Sequence, residues 1–231
     1  MQVALKTMGA ALGLIVPALF ISVLLGGVRR SPLTPGAKAR FRSGIIGVVI
    51  VWLLCAWIAS LTGAISHHGA DVLPRWFVGL ALPSAIGLLA LSSKSFRTIV
   101  ESVPLQTLVG VQAFRLAGLA FLLVVSLGIL PRAFVSGGYG DLATGMLAIV
   151  TAMLLVNSWP VARPAFWAFT IIGLGDLLNV AYMLLKYDPI WYQGTPSSAA
   201  AATFSLVMIP VVAAPLALIL HVYAVMRALR G

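Results

Sequence analysis

The sequence predicts an all-α integral membrane protein, a polytopic bundle of seven transmembrane helices that forms a single domain over residues 1–231. Of the 231 residues, 61% are hydrophobic and 9% are charged, whereas soluble domains carry about 25% charged residues. The mean hydropathy is +1.08. The apolar residues also fall into runs of about 20, the length that crosses a bilayer core. These observations exclude a soluble domain, a disordered chain and a disulfide-rich secreted scaffold.

The apolar runs predict seven spans in order, at about residues 4–27, 43–65, 76–93, 104–130, 139–157, 164–186 and 203–226. The third run is short and contains Pro83 and Gly87, which predicts a tilted or kinked helix. The seventh contains Pro210 and Pro215, each of which removes a backbone hydrogen bond, so this span is predicted to be bent.

Basic residues predict the orientation of the bundle. Those in alternate connections share one side: Arg29, Arg30, Lys38, Arg40, Arg42, Lys94, Arg97, Arg163, Arg227 and Arg230. The other side has Lys6, Arg75, Arg132 and Lys186. The positive-inside rule therefore predicts an N-terminus outside and a C-terminus in the cytoplasm. We expect a multi-pass protein of the bacterial inner membrane whose cytoplasmic face contacts anionic lipid. No nucleic-acid partner is expected from the net charge of +10, because no basic face or motif of that kind appears.

Three ionisable residues lie inside predicted spans: Arg115 in the fourth, Asp176 in the sixth and His221 in the seventh. Such residues are costly in a membrane, so each is by default a functional-site hypothesis. A rise of 1.5 Å per residue places Arg115 about 16 Å, Asp176 about 18 Å and His221 about 8 Å from the inner ends of their spans. An ion pair between Arg115 and Asp176 is therefore geometrically feasible.

Two amides accompany these charges. Gln112 precedes Arg115 by three residues and Asn179 follows Asp176 by three, so each pair shares one helix face. One interpretation is a polar pocket in which Arg115 holds an anionic group or Asp176 carries a proton. The other is a structural ion pair, with amide partners, that holds the helices in register.

A short pattern occurs twice: Gly138-Tyr139-Gly140-Asp141-Leu142 and Gly173-Leu174-Gly175-Asp176-Leu177. It resembles the G-x-G-D signature of intramembrane aspartyl proteases, the presenilin-like and prepilin-peptidase families. The resemblance implies that Asp176 is the signature aspartate and Asp141 its partner, and two such carboxylates can activate water. Asp141 is expected about 6 Å farther from the inner side than Asp176. The glycines also have a structural explanation, because small residues let helices approach closely.

The region 131–145 resembles a group of uncharacterised multi-spanning bacterial membrane proteins, which implies no activity. No cofactor and no metal are expected. The seventh span lacks the lysine that retinal would need, and His221 is the one histidine well inside a span. The single cysteine, Cys55, allows neither an intrachain disulfide nor a thiolate cluster.

The leading prediction is a membrane protein that binds or transports a small molecule, ion or lipid at Gln112, Arg115, Asp176, Asn179 and His221. The second is an intramembrane hydrolase that uses Asp141 and Asp176 as catalytic residues. The third is a non-catalytic subunit or scaffold. The hydrolase requires both aspartates and not Arg115. The transporter requires Arg115 and Asp176 and tolerates Asp141→Asn. In the scaffold, substitutions change only stability or partner binding.

Overall fold

The computed structural model describes residues 2–66 and 71–230, and over these ranges the chain is helical and contains no strand. The helices are α1 (Gln2–Arg30), α2 (Pro35–Leu61), α3 (Arg75–Leu89), α4 (Lys94–Glu101), α5 (Leu105–Gly110), α6 (Gly118–Ser126), α7 (Val135–Val156), α8 (Ala162–Lys186) and α9 (Ala214–Arg230). A 3₁₀ segment, Val111–Ala117, joins α5 to α6, and a π-helical segment, Ile209–Ala213, precedes α9.

Within the described ranges, seven helical runs are long and apolar enough to cross a membrane: Gly9–Arg30, Pro35–Leu61, Arg75–Ser92, Leu105–Ser126, Arg132–Val156, Ala162–Lys186 and Ile209–Arg230. The prediction of an all-helical chain with seven such helices is confirmed. The orientation of the termini and the identity of the membrane stay predictions. The first, third and sixth spans lie within a few residues of their predicted bounds.

The second span begins at Pro35, eight residues before its predicted start. The Thr34 hydroxyl caps the helix by accepting from the Ala37 amide, and proline is favoured at the first helical position. Lys38 and Arg40 lie in the first turns. A count of apolar residues omits these charged turns, which explains the error.

Three other spans have boundaries that differ from the prediction. The fourth span ends at Ser126 rather than 130, because Gly128 adopts a left-handed backbone with φ of 70°. The fifth begins at Arg132 rather than 139, since the glycines before Tyr139 continue the helix. The seventh runs from Ile209 to Arg230 rather than over 203–226. The backbone over 203–207 forms a bend and turns rather than a helix, and the apolar residues Leu206, Val207 and Met208 are buried inside the protein.

α9 lies at the centre of the bundle and contacts α1, α3, α5 and α8. The Tyr223 hydroxyl donates to the Gly87 carbonyl of α3 at 2.7 Å. Gly79 and Gly87 of α3 lie against the side chains of Val211 and Ile219, so that the absence of a Cβ permits this close approach. The predicted distortion of the seventh span takes the form of the π-helical segment, which contains Pro210.

α7 and α8 form a helical hairpin, and α7 also packs along the whole fourth span. α4 is a short amphipathic helix that buries Phe96, Ile99 and Val100, and Glu101 at its end forms an ion pair with Arg230 of α9. We call the end of the bundle at which α1, α7 and α9 finish the basic end.

Candidate functional site

Arg115 lies in the interrupted fourth span. Its seven-residue 3₁₀ segment is longer than the three or four residues usual for this conformation, and such a stretch within a helix often marks a functional position. α7 approaches this segment closely: a Cβ on Gly145 would lie 2.7 Å from the backbone nitrogen of Leu116. The glycine therefore brings the α7 backbone next to Arg115.

Every nitrogen of the Arg115 guanidinium contacts another group. Nε donates to Asp141 Oδ1 at 2.7 Å, and Nη2 donates to Asp176 Oδ2 at 2.5 Å. Nη1 donates to the Gly173 carbonyl at 3.0 Å and lies 3.3 Å from His221 Nε2. We call Arg115, Asp141, Asp176 and His221 the Arg115 cluster. It joins the fourth, fifth, sixth and seventh spans.

The cluster is deeply buried on one side and more open on the other. The side chains of Arg115 and Asp176 are 2% and 4% exposed, whereas that of Asp141 is 25% exposed. Asp141 is therefore the charged member that a molecule entering the bundle could reach. Arg115, Asp141 and Asp176 line one side of a small cavity of about 60 Å³. This volume can hold a water molecule or a compact headgroup.

His221 is fully buried, and its ring stacks on Phe169 with 4.7 Å between centroids. Because arginine has donors and no acceptor, Nε2 of His221 must be the acceptor in its contact with Arg115. A neutral ring then carries its proton on Nδ1. Among the described residues this Nδ1 has no hydrogen-bond partner, and the same holds for Oδ1 of Asp176.

The repeated G-x-G-D pattern makes room for the cluster. A Cβ on Gly140, in the first copy, would overlap the Asp176 carboxylate of the second copy. A Cβ on Gly173, in the second copy, would overlap the His221 ring. Gly175 has open space at the same position. Two of these glycines are therefore required by contacts between helices.

The predicted pair of Arg115 and Asp176 is present, and His221 joins it although its estimated depth was only about 8 Å. Because α9 continues to Arg230, His221 lies about 14 Å from the basic end of its helix. The expected 6 Å offset between the aspartates is wrong for a similar reason. With the observed bounds of α7 and α8, Asp141 and Asp176 lie about 22 Å and 21 Å from the basic end.

The two amides do not take part in the cluster. Asn179 is half-buried and donates to the Ser136 hydroxyl at 3.0 Å. The expectation that Asn179 shares a pocket with Asp176 is therefore wrong. Both side chains face α7, but Asp176 lies beside Gly140 and reaches Arg115, whereas Asn179 lies one turn farther along α8, beside Ser136. Gln112 is fully buried, and within the described part of the chain neither of its amide atoms has a hydrogen-bond partner.

Sequence reasoning missed two contributors. The Gly173 carbonyl is an acceptor for Arg115, and Asp141 is an ion-pair partner of Arg115 rather than only a member of an aspartate dyad. The repeat carried a signal for both, since each is part of a G-x-G-D copy. Over residues 2–66 and 71–230, no group of three or more His, Cys, Asp or Glu side chains is arranged to hold a metal ion.

Fold and site together define a seven-helix bundle compatible with a membrane protein, with charged side chains in its interior. The chain belongs to the DUF8737 family, a domain of unknown function, whose model matches residues 76–229. That region contains the last five spans and the whole Arg115 cluster. No curated protein and no solved structure is detectably similar to the chain.

Proposed function

We propose that this protein binds or transports, within the membrane, a small molecule that carries a protonated amine or a comparable cationic donor. The observation that carries the proposal is the charge of the Arg115 cluster. One guanidinium contacts two carboxylates, so the ionised groups leave an excess of one negative charge inside the bundle.

An excess charge in a low-dielectric interior is costly unless it is paired or neutralised. A proton or a bound cation would neutralise it. A bound anion would add to the negative charge. It would also find no free donor on Arg115, because each guanidinium nitrogen already contacts a group of Asp141, Asp176, Gly173 or His221. The earlier expectation that Arg115 holds an anionic group is therefore replaced by recognition of a cation at Asp141, the more exposed carboxylate.

The unpaired polar atoms favour a ligand site over a purely structural ion pair. Buried polar networks that only stabilise a fold normally satisfy all their members. Here Oδ1 of Asp176 and Nδ1 of His221 have no partner among the described residues. Both belong to the cluster, and Asp176 lines the small cavity. Bound molecules or waters would complete these hydrogen bonds.

The test is mass spectrometry of small molecules that co-purify with the full chain in native-lipid discs. We expect an amine-bearing species with the wild type that is absent from Asp141→Asn. Asp188→Asn is the matched control, because Asp188 is also buried but accepts from Trp76, away from the cluster. It should keep the species. The same profile for all three proteins would contradict the proposal.

A hydrolase is the second candidate, and one observation favours it: the two aspartates of the G-x-G-D copies contact the same guanidinium. In this arrangement Arg115 occupies the space between the carboxylates where a shared water would act. The hydrolase predicts that a peptide-cleavage assay detects activity that survives Arg115→Gln and is lost in either aspartate variant. Activity lost with Arg115→Gln would count against it.

We further propose that the basic end faces the cytoplasm of a bacterial cell and contacts anionic lipid. Its charges include Arg29, Arg30 and the exposed Lys94 of α4. A reporter fused after Arg230 that is active only in the cytoplasm tests this orientation. Activity of a reporter that functions only outside the inner membrane would overturn it.

A further inference from the structure

A second cavity, of about 300 Å³, adjoins the small cavity of the Arg115 cluster. Its lining is apolar, from α8, the π-helical segment and their neighbours, and includes Leu174, Ala181 and Pro210. The two cavities share wall residues: Phe121, Leu177, Val180, Ile209 and Ala214 line both. A cavity with three charged residues in its wall and an apolar cavity therefore lie side by side.

Resting on the function proposed above, we propose that the ligand is a single-chain amphiphile, with a protonated amine at Asp141 and a hydrocarbon tail in the apolar cavity. Charge complementarity selects the head, because the small cavity meets two carboxylates and one guanidinium. The neighbouring cavity selects the rest of the molecule, since its wall is made of apolar side chains throughout. The larger volume is at the lower end of the range of about 300–1,000 Å³ for ligand pockets.

The two ends of the ligand contribute differently. Lipid tails are as apolar as the cavity wall, so moving a tail from the bilayer into the cavity yields little free energy. The apolar cavity therefore selects which tails fit, and the contact of the amine with Asp141 supplies most of the binding free energy. Leu178 on the cavity wall is 73% exposed at the outer surface of the bundle. The cavity wall therefore reaches the surface that would face the hydrocarbon layer, which is the side from which we expect a tail to enter.

Photolabelling of the full chain in lipid nanodiscs tests this inference. The probe is dodecylamine with a diazirine at the end of its chain, and the matched probes are the corresponding alcohol and carboxylic acid. We expect saturable labelling by the amine on peptides that contain 174–184 and 209–218. The amine should label about tenfold more than the alcohol, the difference that one hydrogen bond to a charged group provides.

Two α8 variants locate the tail. Ala181→Phe fills the apolar cavity and should abolish labelling by the amine, whereas Ala168→Phe, on the exposed surface of the same helix, should not. Excess unlabelled dodecylamine should also remove the label from the wild type, which keeps the test valid if Ala181→Phe fails to fold. Labelling spread over lipid-facing helices and resistant to competition would overturn the tail site.

Asp141→Asn separates this inference from the function on which it rests. It should lower labelling by the amine to the level of the alcohol and leave the alcohol unchanged. Labelling that depends on Asp141 but lies outside the apolar cavity would refute the tail site and leave the cation site intact. Equal labelling by amine, alcohol and acid, with no effect of Asp141→Asn, would refute both.

Discussion

The carboxylate of Asp176 packs against the α-carbon of Gly140, so that the aspartate of one G-x-G-D copy occupies the space left by a glycine of the other. The contact lies between α8 and α7, next to the guanidinium of Arg115. The repeat therefore has a structural meaning: its first copy makes room for the charge of its second. A glycine of the repeat makes such room only where its α-carbon lies against a neighbouring helix, as at Gly140 and not at Gly175.

Gly140→Ala should destabilise the protein by about 1–3 kcal/mol, the usual cost of inserting a methyl group into a packed interior. Its new Cβ would overlap the Asp176 carboxylate. Gly175→Ala is the matched control, because this glycine has open space and lies within α8. It should be neutral or stabilising by up to about 1 kcal/mol. Unfolding in mixed detergent measures both, and equal effects would contradict the packing argument.

Arg115→Gln should destabilise the protein by about 3–5 kcal/mol, because it leaves two buried carboxylates without their cation. Adding Asp141→Asn and Asp176→Asn to the same protein should recover a large part of the loss, since the uncompensated charges are then gone. Thermal unfolding followed by tryptophan fluorescence compares the three proteins. A triple variant no more stable than Arg115→Gln would show that side-chain packing, rather than charge, explains the loss.

Asp141→Asn alone should leave the ligand-free protein at least as stable as the wild type. The change removes the excess negative charge and keeps the ion pair of Arg115 with Asp176. Binding groups often cost stability in this way. The midpoint of thermal unfolding after delipidation is the measurement. A marked decrease would mean that Asp141 mainly stabilises Arg115.

His221→Phe should cost about 1–2 kcal/mol, because the replacement keeps an aromatic ring beside Phe169 but removes the acceptor next to Arg115 Nη1. Tyr223→Phe on the same helix loses one hydrogen bond, to the Gly87 carbonyl, and should have a similar cost. The two differ in function: only His221→Phe should weaken capture of the amine probe. Equal capture by both variants would remove His221 from the binding site.

Asn179→Ala should be tolerated, with a change in stability below about 1 kcal/mol and unchanged capture of the amine probe. Asn179 is half-buried, and its amide donates to Ser136 rather than to the cluster. Asp176→Asn, three residues earlier on the same helix, should reduce capture, because it removes a carboxylate that lines the small cavity. If Asn179→Ala abolished capture, the boundary of the site would have to extend toward Ser136.

The contact between Arg115 and Asp176 could be predicted from the sequence, because a local property was enough. Arg115 and Asp176 were paired because each stands near the middle of an apolar run, where an unpaired charge is costly. Prediction from sequence failed where helix ends mattered: errors of one to four residues in the helix bounds gave a wrong depth for His221 and a wrong offset between Asp141 and Asp176. It also failed for Asn179, because a shared helix face does not report which residues of the neighbouring helix lie beside each turn.

The sequence by itself determined the all-helical class, the number of helices long and apolar enough to span a membrane, and the residues whose burial needs a partner. These follow from the length of apolar runs and from the cost of charge in hydrocarbon, which are properties of each segment alone. Only the tertiary structure decided that Arg115 contacts two aspartates, that Gly140 and Gly173 make room for the cluster, and that an apolar cavity adjoins it. These features depend on the rotation of each helix and on the 3₁₀ and π-helical segments, which are set by the packing of neighbouring helices.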